Sequence, residues 1–359
     1  MKLCSLIVAA SLLASSYNSH AQTFNSGDDP TAQIEAAVSN GDYGTVTSIL
    51  ILEDGNPVYE GYFNGSDASA LHNTRSVTKT ITGMMVGAAV SDGLLALEDP
   101  AARFFPELAP FSSPDPRKLA ITIEDLLTMS GPLECDDWNQ HSRGNEERMY
   151  IVEDWNRFFW DLPIRGYPSW TTPPERSAYG RTFSYCTAGV QMLGEIVERA
   201  SGQTITEYAA EKFLGPLDIT EFEWPMTGAG QVHLGGGLLL TTEGLGKFAE
   251  LQRHSGTHED EIVYASEWAK KSTTPHAVIP DTPFEYGYLW WLMPYEVEGR
   301  PYMAAAMTGN GGNRVFVLPD HELSVVFTNT DFNTRQMHQN AQKFFETEIV
   351  SRLASTSQP

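Results

Sequence analysis

Residues 76–91 would form a helix that is apolar on nearly every face. Its apolar members are Val77, Ile81, Met84, Met85, Val86, Ala88, Ala89 and Val90. A helix with so little polar surface must be enclosed by other elements, because exposing it to water is unfavourable. Asp92-Gly93 follows as a helix stop. We therefore place this helix in the middle of a lobe.

Segments with strand character lie at both ends of the chain. Thr45–Phe63 has the pattern of a β-hairpin. Four more strands and a final helix are predicted near the C-terminus, at Tyr286–Leu292, Tyr302–Met307, Arg314–Leu318, Leu323–Thr328 and about Gln336–Leu353. Strands at both ends around a helical middle predict an α/β (α+β) fold, in which helices flank an antiparallel sheet built from both termini and a helical lobe is inserted.

The first 21 residues have the features of a secretory signal peptide. Lys2 precedes an apolar run, Leu3–Ala14, which is too short to span a bilayer, and small and polar residues follow up to Ala21. We expect an exported protein, periplasmic or secreted, that forms one domain over residues 22–359. Its sheet lobe would comprise about 45–70 and 232–354, and its helical lobe about 71–231.

The formal net charge of −23 limits the kinds of molecule that the protein is expected to bind. Such an acidic chain repels nucleic acid and anionic lipid, and no stretch after the signal peptide is apolar enough to span a membrane. We expect a small-molecule partner, with no nucleic acid and no membrane insertion.

Two cysteines, Cys135 and Cys186, remain after the signal peptide. Cys4 precedes the apolar run, whereas a lipid-anchor cysteine would follow it. In an oxidising compartment the remaining pair could form a disulfide, and the alternative is two buried free thiols. The sequence leaves both interpretations open.

Ser76-Val77-Thr78-Lys79 places a hydroxyl and an amine three residues apart at the start of the buried helix. At that spacing both side chains project from one helix face. Serine needs a base within hydrogen-bond reach, and burial would lower the pKa of the lysine toward a useful range. The helix N-terminus adds backbone N–H groups where an oxyanion would form. Ser76 and Lys79 are therefore candidate catalytic residues.

Several further motifs follow in a fixed order after Thr74–Gly83. They are Leu97-Glu98-Asp99-Pro100, Leu126–Gly131, Phe183–Thr187, Gly235-Gly236-Gly237-Leu238, Tyr286–Trp291 and Thr308–Asn313. Together they resemble class C β-lactamases and related penicillin-recognising enzymes, among them family VIII-type esterases and D-amino-acid peptidases. The likeness covers about residues 45–350 and implies a β-lactamase/transpeptidase-like fold.

The resemblance implies roles for residues distant from Ser76. Tyr185 falls at the tyrosine of the family's Tyr-x-Asn motif, which takes the serine proton; a neighbouring ammonium would favour its phenolate. Thr308 and Gly309 should line the cleft, and the Asn310 N–H should join that of Ser76 as the oxyanion hole.

Two departures from the family pattern bear on the substrate. Thr187 stands where the family has an asparagine that contacts amides, and Met307 stands where it has a lysine that grips a carboxylate. Both favour a serine hydrolase that cleaves a small ester, amide or peptide through an acyl-enzyme on Ser76, either an esterase or an amidase for neutral substrates, with the esterase preferred. The alternatives are a β-lactamase, a D-amino-acid peptidase or carboxypeptidase, and a non-catalytic cell-wall-binding protein.

Other catalytic signatures are missing from the sequence. It contains no Gly-x-Ser-x-Gly elbow, no zinc spacing among its histidines and no phosphate-binding loop, so we expect no metal and no cofactor. Residues 132–184 lack clean periodicity, which suggests a functional wall or lid. The tryptophans of this segment and of the Trp290-Trp291 pair, among them Trp138, Trp155, Trp160 and Trp170, either line a pocket or fill the core.

Overall fold

The computed structural model describes residues 30–167, 176–227 and 229–356. The predicted signal peptide and Trp170 lie outside these ranges. The α-helices are α1 (Pro30–Ser39), α2 (Val77–Ser91), α3 (Ile123–Leu127), α4 (Glu146–Met149), α5 (Trp155–Asp161), α6 (Thr187–Ser201), α7 (Ile205–Ala209), α8 (Thr242–Arg253), α9 (Ser266–Ser272), α10 (Met337–Phe344) and α11 (Ser351–Thr356). The strands are β1 (Val46–Glu53), β2 (Asn56–Tyr62), β3 (His72–Asn73), β4 (Phe222–Glu223), β5 (Leu239–Leu240), β6 (Thr257–His258), β7 (Glu261–Ile262), β8 (Ala277–Val278), β9 (Glu285–Tyr286), β10 (Trp291–Val297), β11 (Arg300–Gly309), β12 (Asn313–Leu318) and β13 (Leu323–Asn329).

One large antiparallel sheet joins the two ends of the chain. Its strand order is β2-β1-β13-β12-β11-β10-β9-β8, and β1 pairs with both β2 and β13. The two-residue strands β3, β4 and β5 form a small second sheet next to α2. The expected antiparallel sheet from both termini, with helices inserted between its strands, is confirmed.

Helix α2 lies in the core, and its few polar side chains all have partners. Residues 77–89 are buried. Thr80 Oγ1 donates to the Leu289 carbonyl at 2.7 Å and Thr82 Oγ1 donates to the Leu234 carbonyl at 2.7 Å. Thr78 Oγ1 accepts the Leu238 N–H at 3.2 Å. Since a buried polar group without a partner is costly, these bonds fix the helix against residues 234–238 and against Leu289.

The other face of the sheet is covered by the terminal helices. Helices α1 and α10 and the π-helical turn Phe345–Val350 pack on it. The Phe345 ring stacks on Phe316 of β12 with centroids 3.8 Å apart. A second apolar layer therefore closes the sheet on the side away from α2.

The predicted strand Tyr286–Leu292 is interrupted. The chain leaves the sheet after Tyr286 and rejoins it at Trp291. Between them Leu289 has a φ of +61°, and its N–H donates to the Leu127 carbonyl at 3.0 Å. Its carbonyl binds Thr80. Because the N–H and the carbonyl of Leu289 are hydrogen-bonded to α3 and α2, they cannot pair with a neighbouring strand.

We predict that Phe345→Ala lowers the free energy of unfolding by about 3–5 kcal/mol, because it removes a fully buried ring. Urea denaturation followed by fluorescence measures the change. Met303→Ala, at a side chain that is 51% exposed on β11, is the control and should change it by less than about 0.5 kcal/mol. A Phe345→Ala protein as stable as the control would contradict this packing.

Candidate active site

Ser76 and Lys79 meet at the start of α2. Lys79 Nζ lies 2.9 Å from Ser76 Oγ and donates a second hydrogen bond to the Gly235 carbonyl at 2.6 Å. The Lys79 residue is only 1% exposed. Burial lowers the pKa of Lys79, and the carboxylates of Glu146 and Asp137 partly oppose that change. The amine is thus held next to the hydroxyl in a site that disfavours its charge.

A close backbone approach sets the position of Ser76. Arg75, which precedes it, has a φ of +53°, a conformation that is uncommon outside glycine. A Cβ at Gly309, the last residue of β11, would lie 1.8 Å from the Thr74 carbonyl oxygen and 3.4 Å from the Ser76 nitrogen. Only glycine allows this strand end to come so near the helix start.

The same approach brings two backbone donors to the site. Asn310 directly follows Gly309 and lines the same cavity as Ser76. Across the described ranges, no hydrogen-bond acceptor is found for the N–H of Ser76 or of Asn310. Two free N–H groups on adjoining segments can hold an oxyanion.

Tyr185 reaches the site from just before α6. Its ring is buried, stacks on Trp138 with centroids 5.4 Å apart and lies 5.1 Å from Lys79 Nζ. Burial raises the pKa of Tyr185 well above its ordinary value, and the Ser76 hydroxyl is the strongest opposing influence. Burial thus favours the protonated phenol, the opposite direction to that expected from a neighbouring ammonium.

A cavity of about 480 Å³ opens in front of these groups. Its walls are Ser76, Asp137, Trp138, Glu146, Tyr185, Trp291, Thr308, Gly309, Asn310, Asn333, Met337 and His338. Thr308, Gly309 and Asn310 thus line the same cavity as Ser76. Of the tryptophans, Trp138 and Trp291 are in the wall, whereas Trp155, Trp160 and Trp290 are core residues.

Thr187 does not reach the cavity wall. It is fully buried, and its Oγ1 donates to Glu146 Oε2 at 3.0 Å. Its N–H donates to Asp137 Oδ2 at 2.7 Å, and Asp137 Oδ1 accepts the Glu146 N–H at 2.9 Å. The Asp137 carboxylate therefore caps the first N–H of both α4 and α6, where the helix dipoles favour negative charge.

Asp137 and Glu146 were missed by the sequence interpretation. Both come from the irregular segment, and no spacing relates them to Ser76. Burial first, and then the Glu146 charge, raise the pKa of Asp137 to about 6, while Lys79 and the Thr187 hydrogen bonds lower it. Two carboxylates in the wall make this side of the cavity negative.

A disulfide joins this wall to the tyrosine segment. Cys135 and Cys186 are bonded, with Cα atoms 5.4 Å apart. On either side of it, Ser184 Oγ donates to the Cys135 carbonyl at 2.6 Å, and the Asp137 N–H donates to the Tyr185 carbonyl at 2.8 Å. The cross-link closes a loop across 51 positions and so restrains Asp137 relative to Tyr185.

Residues 30–356, excluding the two gaps, contain no helix with the length and apolarity required to cross a bilayer.

Two curated proteins are similar to part of the chain. Protein Rv1367c of Mycobacterium tuberculosis is 29% identical over 166 residues, which are 42% of this chain and 38% of that protein. The lovastatin esterase of Penicillium rubens is 28% identical over 172 residues, or 42% of this chain and 39% of the esterase. The matches thus span well under half the length of these relatives.

Solved structures share the fold over most of the chain. A protein from Bacillus anthracis, described as a candidate 6-aminohexanoate-dimer hydrolase, superposes with a TM-score of 0.71 at 17% identity, covering 90% of this chain and 83% of that one. At this identity the likeness concerns the fold alone.

A family model described as Beta-lactamase matches residues 35–346, which include every residue of the cavity wall. The match extends over most of the described chain, from α1 to the π-helical turn after α10. The recognition made from the ordered motifs is confirmed, and the chain belongs to the beta-lactamase family.

Proposed function

We propose that the protein is a serine hydrolase that cleaves an ester through an acyl-enzyme on Ser76. The observation that carries the proposal is the 2.9 Å contact between Lys79 Nζ and Ser76 Oγ inside a buried environment. A neutral amine at that distance can accept the serine proton, and an amine whose pKa is lowered by burial is neutral more often near pH 7.

The remaining groups fit the two steps of an acyl transfer. As Ser76 Oγ bonds to the ester carbonyl carbon, its proton passes to Lys79, and the N–H groups of Ser76 and Asn310 hold the oxyanion. The C–O bond to the leaving alcohol then breaks. The protonated Tyr185 phenol donates to that alkoxide and regains its proton from Lys79. Water attacks the acyl-enzyme by the same route and releases the acid.

The cavity favours an ester over a β-lactam or a peptide. Thr187 offers no group to a substrate amide, because its hydroxyl is bonded to Glu146. Met307 is fully buried in the core and places no charge in the cavity. The similarity to a protein named lovastatin esterase supports the same choice.

We expect p-nitrophenyl butyrate to be hydrolysed with a higher kcat/KM than nitrocefin or D-alanine p-nitroanilide. A higher kcat/KM for either of the latter two substrates would reject the ester assignment.

Ser76→Ala should lower kcat for p-nitrophenyl butyrate by about 10³-fold or more, because the nucleophile is lost. Ser69→Ala, at an exposed serine, is the control and should keep wild-type kinetics. Labelling with a fluorophosphonate probe should modify wild type and the control but not Ser76→Ala. If Ser76→Ala kept more than about a tenth of the activity, another nucleophile would have to do the chemistry.

Glu146→Gln should move the acid limb of the pH profile of kcat/KM to lower pH by about half a unit or more. The Glu146 charge raises the pKa of Lys79, so its removal lowers that pKa, and the amine becomes a neutral base at lower pH. Glutamine still accepts the Thr187 hydrogen bond.

Glu147→Gln is the matched control for this profile. It removes the same charge from the next residue of α4, whose side chain is exposed. Its profile should coincide with that of wild type. Equal shifts in the two variants would mean that net charge, and not the contact at the site, determines the profile.

A further inference from the structure

A second, smaller cavity adjoins the catalytic one. Its volume is about 220 Å³, and it shares Trp138, Trp291, Thr308 and His338 with the wall of the larger cavity. Its other lining residues are Thr282, Phe284, Met293, Tyr295, Arg314 and Gln342. Most of this lining is aromatic or aliphatic, and Arg314 is its one residue with a full charge at neutral pH.

Arg314 is buried in this cavity wall. It lies on β12 directly opposite Thr308 of β11 and is only 6% exposed. One Nη donates to the Asn313 carbonyl at 2.9 Å, and the other donates to His338 Nδ1 at 2.9 Å. Burial lowers the pKa of Arg314 to about 10, so the guanidinium is still charged at neutral pH.

No carboxylate of the described residues forms an ion pair with Arg314. The neighbouring groups that favour its charge are the phenols of Tyr295 and Tyr185. Arg253 differs in this respect: its side chain is 6% exposed, and it bonds the Glu250 carboxylate at 2.7 Å. Because an uncompensated buried charge is expensive, the Arg314 site calls for an anion.

We propose that the small cavity, defined by Arg314, Phe284, Met293 and Tyr295, is a subsite for a carboxylate carried on an apolar part of the substrate. The guanidinium has unused N–H donors in a fixed fork, a geometry that suits a carboxylate. Thr308 lines both cavities and lies directly opposite Arg314 on the neighbouring strand. The aromatic walls exclude water and accept the chain that carries the anion.

The subsite sharpens the proposed function, on which its role in substrate choice rests. The substrate class is an ester with one free carboxylate, on either the acyl or the alcohol side. Met307 of β11 brings no cation to the cavity. Arg314 of the neighbouring strand β12 supplies a cation instead. The negative wall at Asp137 and Glu146 leaves the Arg314 side as the place for an anion.

Equilibrium binding tests the subsite without relying on hydrolysis. Calorimetry on the Ser76→Ala protein compares 4-phenylbutyrate with the neutral 4-phenylbutanamide. We expect the acid to bind about tenfold or more tightly than the amide, as a charge-assisted contact provides. Arg314→Gln should abolish this preference, and Arg314→Lys should keep part of it. Arg143→Gln, which removes a 70% exposed arginine, should leave it unchanged.

Equal affinity for acid and amide in the protein with Arg314 would overturn the proposal, whether or not the Arg314 variants fold. A preference that survives Arg314→Gln, in a variant whose melting temperature shows that it is folded, would also overturn it.

Kinetics then separate the subsite from the proposed function. The acyl-side pair is p-nitrophenyl hydrogen glutarate and p-nitrophenyl pentanoate; the alcohol-side pair is 3-carboxyphenyl butyrate and phenyl butyrate. We expect one pair to show a kcat/KM ratio of about ten or more in favour of the anionic ester, and Arg314→Gln to abolish it. If wild type cleaves the neutral esters but neither pair shows the preference, the subsite is wrong and the esterase stands. If wild type cleaves none of the esters, the esterase is wrong and calorimetry alone decides the subsite.

Discussion

The burial of the Lys79 amine is the constraint on which the rest of the site depends. The amine lies in the core helix α2, and its partners are Ser76 Oγ and the Gly235 carbonyl. Thr78 and Thr82 of the same helix form hydrogen bonds with residues 234–238. These bonds fix the position of α2 and also keep the Gly235 carbonyl next to the amine. Fold stability and the disposition of the nucleophile therefore rest on the same contacts.

Charge is distributed unevenly around the cavity. Asp137 and Glu146 lie on one side, and Arg314 lies on the other. Both signs of charge act on Tyr185: the two carboxylates raise its pKa and the guanidinium lowers it. A substrate with a negative group would be repelled by the first wall and attracted by the second, so this arrangement can orient the substrate as well as bind it. The disulfide from Cys135 to Cys186 helps to keep the negative wall in place.

The sequence predicted the parts of the site that are local. Ser76 and Lys79 share a helix turn, and the apolar pattern of residues 76–91 fixes where that helix must lie. The ordered motifs added Tyr185 and the end of β11. Local patterns could not place Asp137 and Glu146, because their positions depend on how an irregular segment folds. The position of Arg314 opposite Thr308 depends on the register of β11 and β12, which the sequence alone did not reveal.

The most direct test of the account is the pKa of the Lys79 amine in the folded protein. NMR of protein with ¹³C at the lysine Cε positions gives a titration curve for each lysine, and Lys79→Met assigns the signal that disappears. We expect Lys79 to titrate below the ordinary lysine value of about 10.4. A Lys79 that remains charged up to about pH 10 would contradict the proposal that it is the base for Ser76.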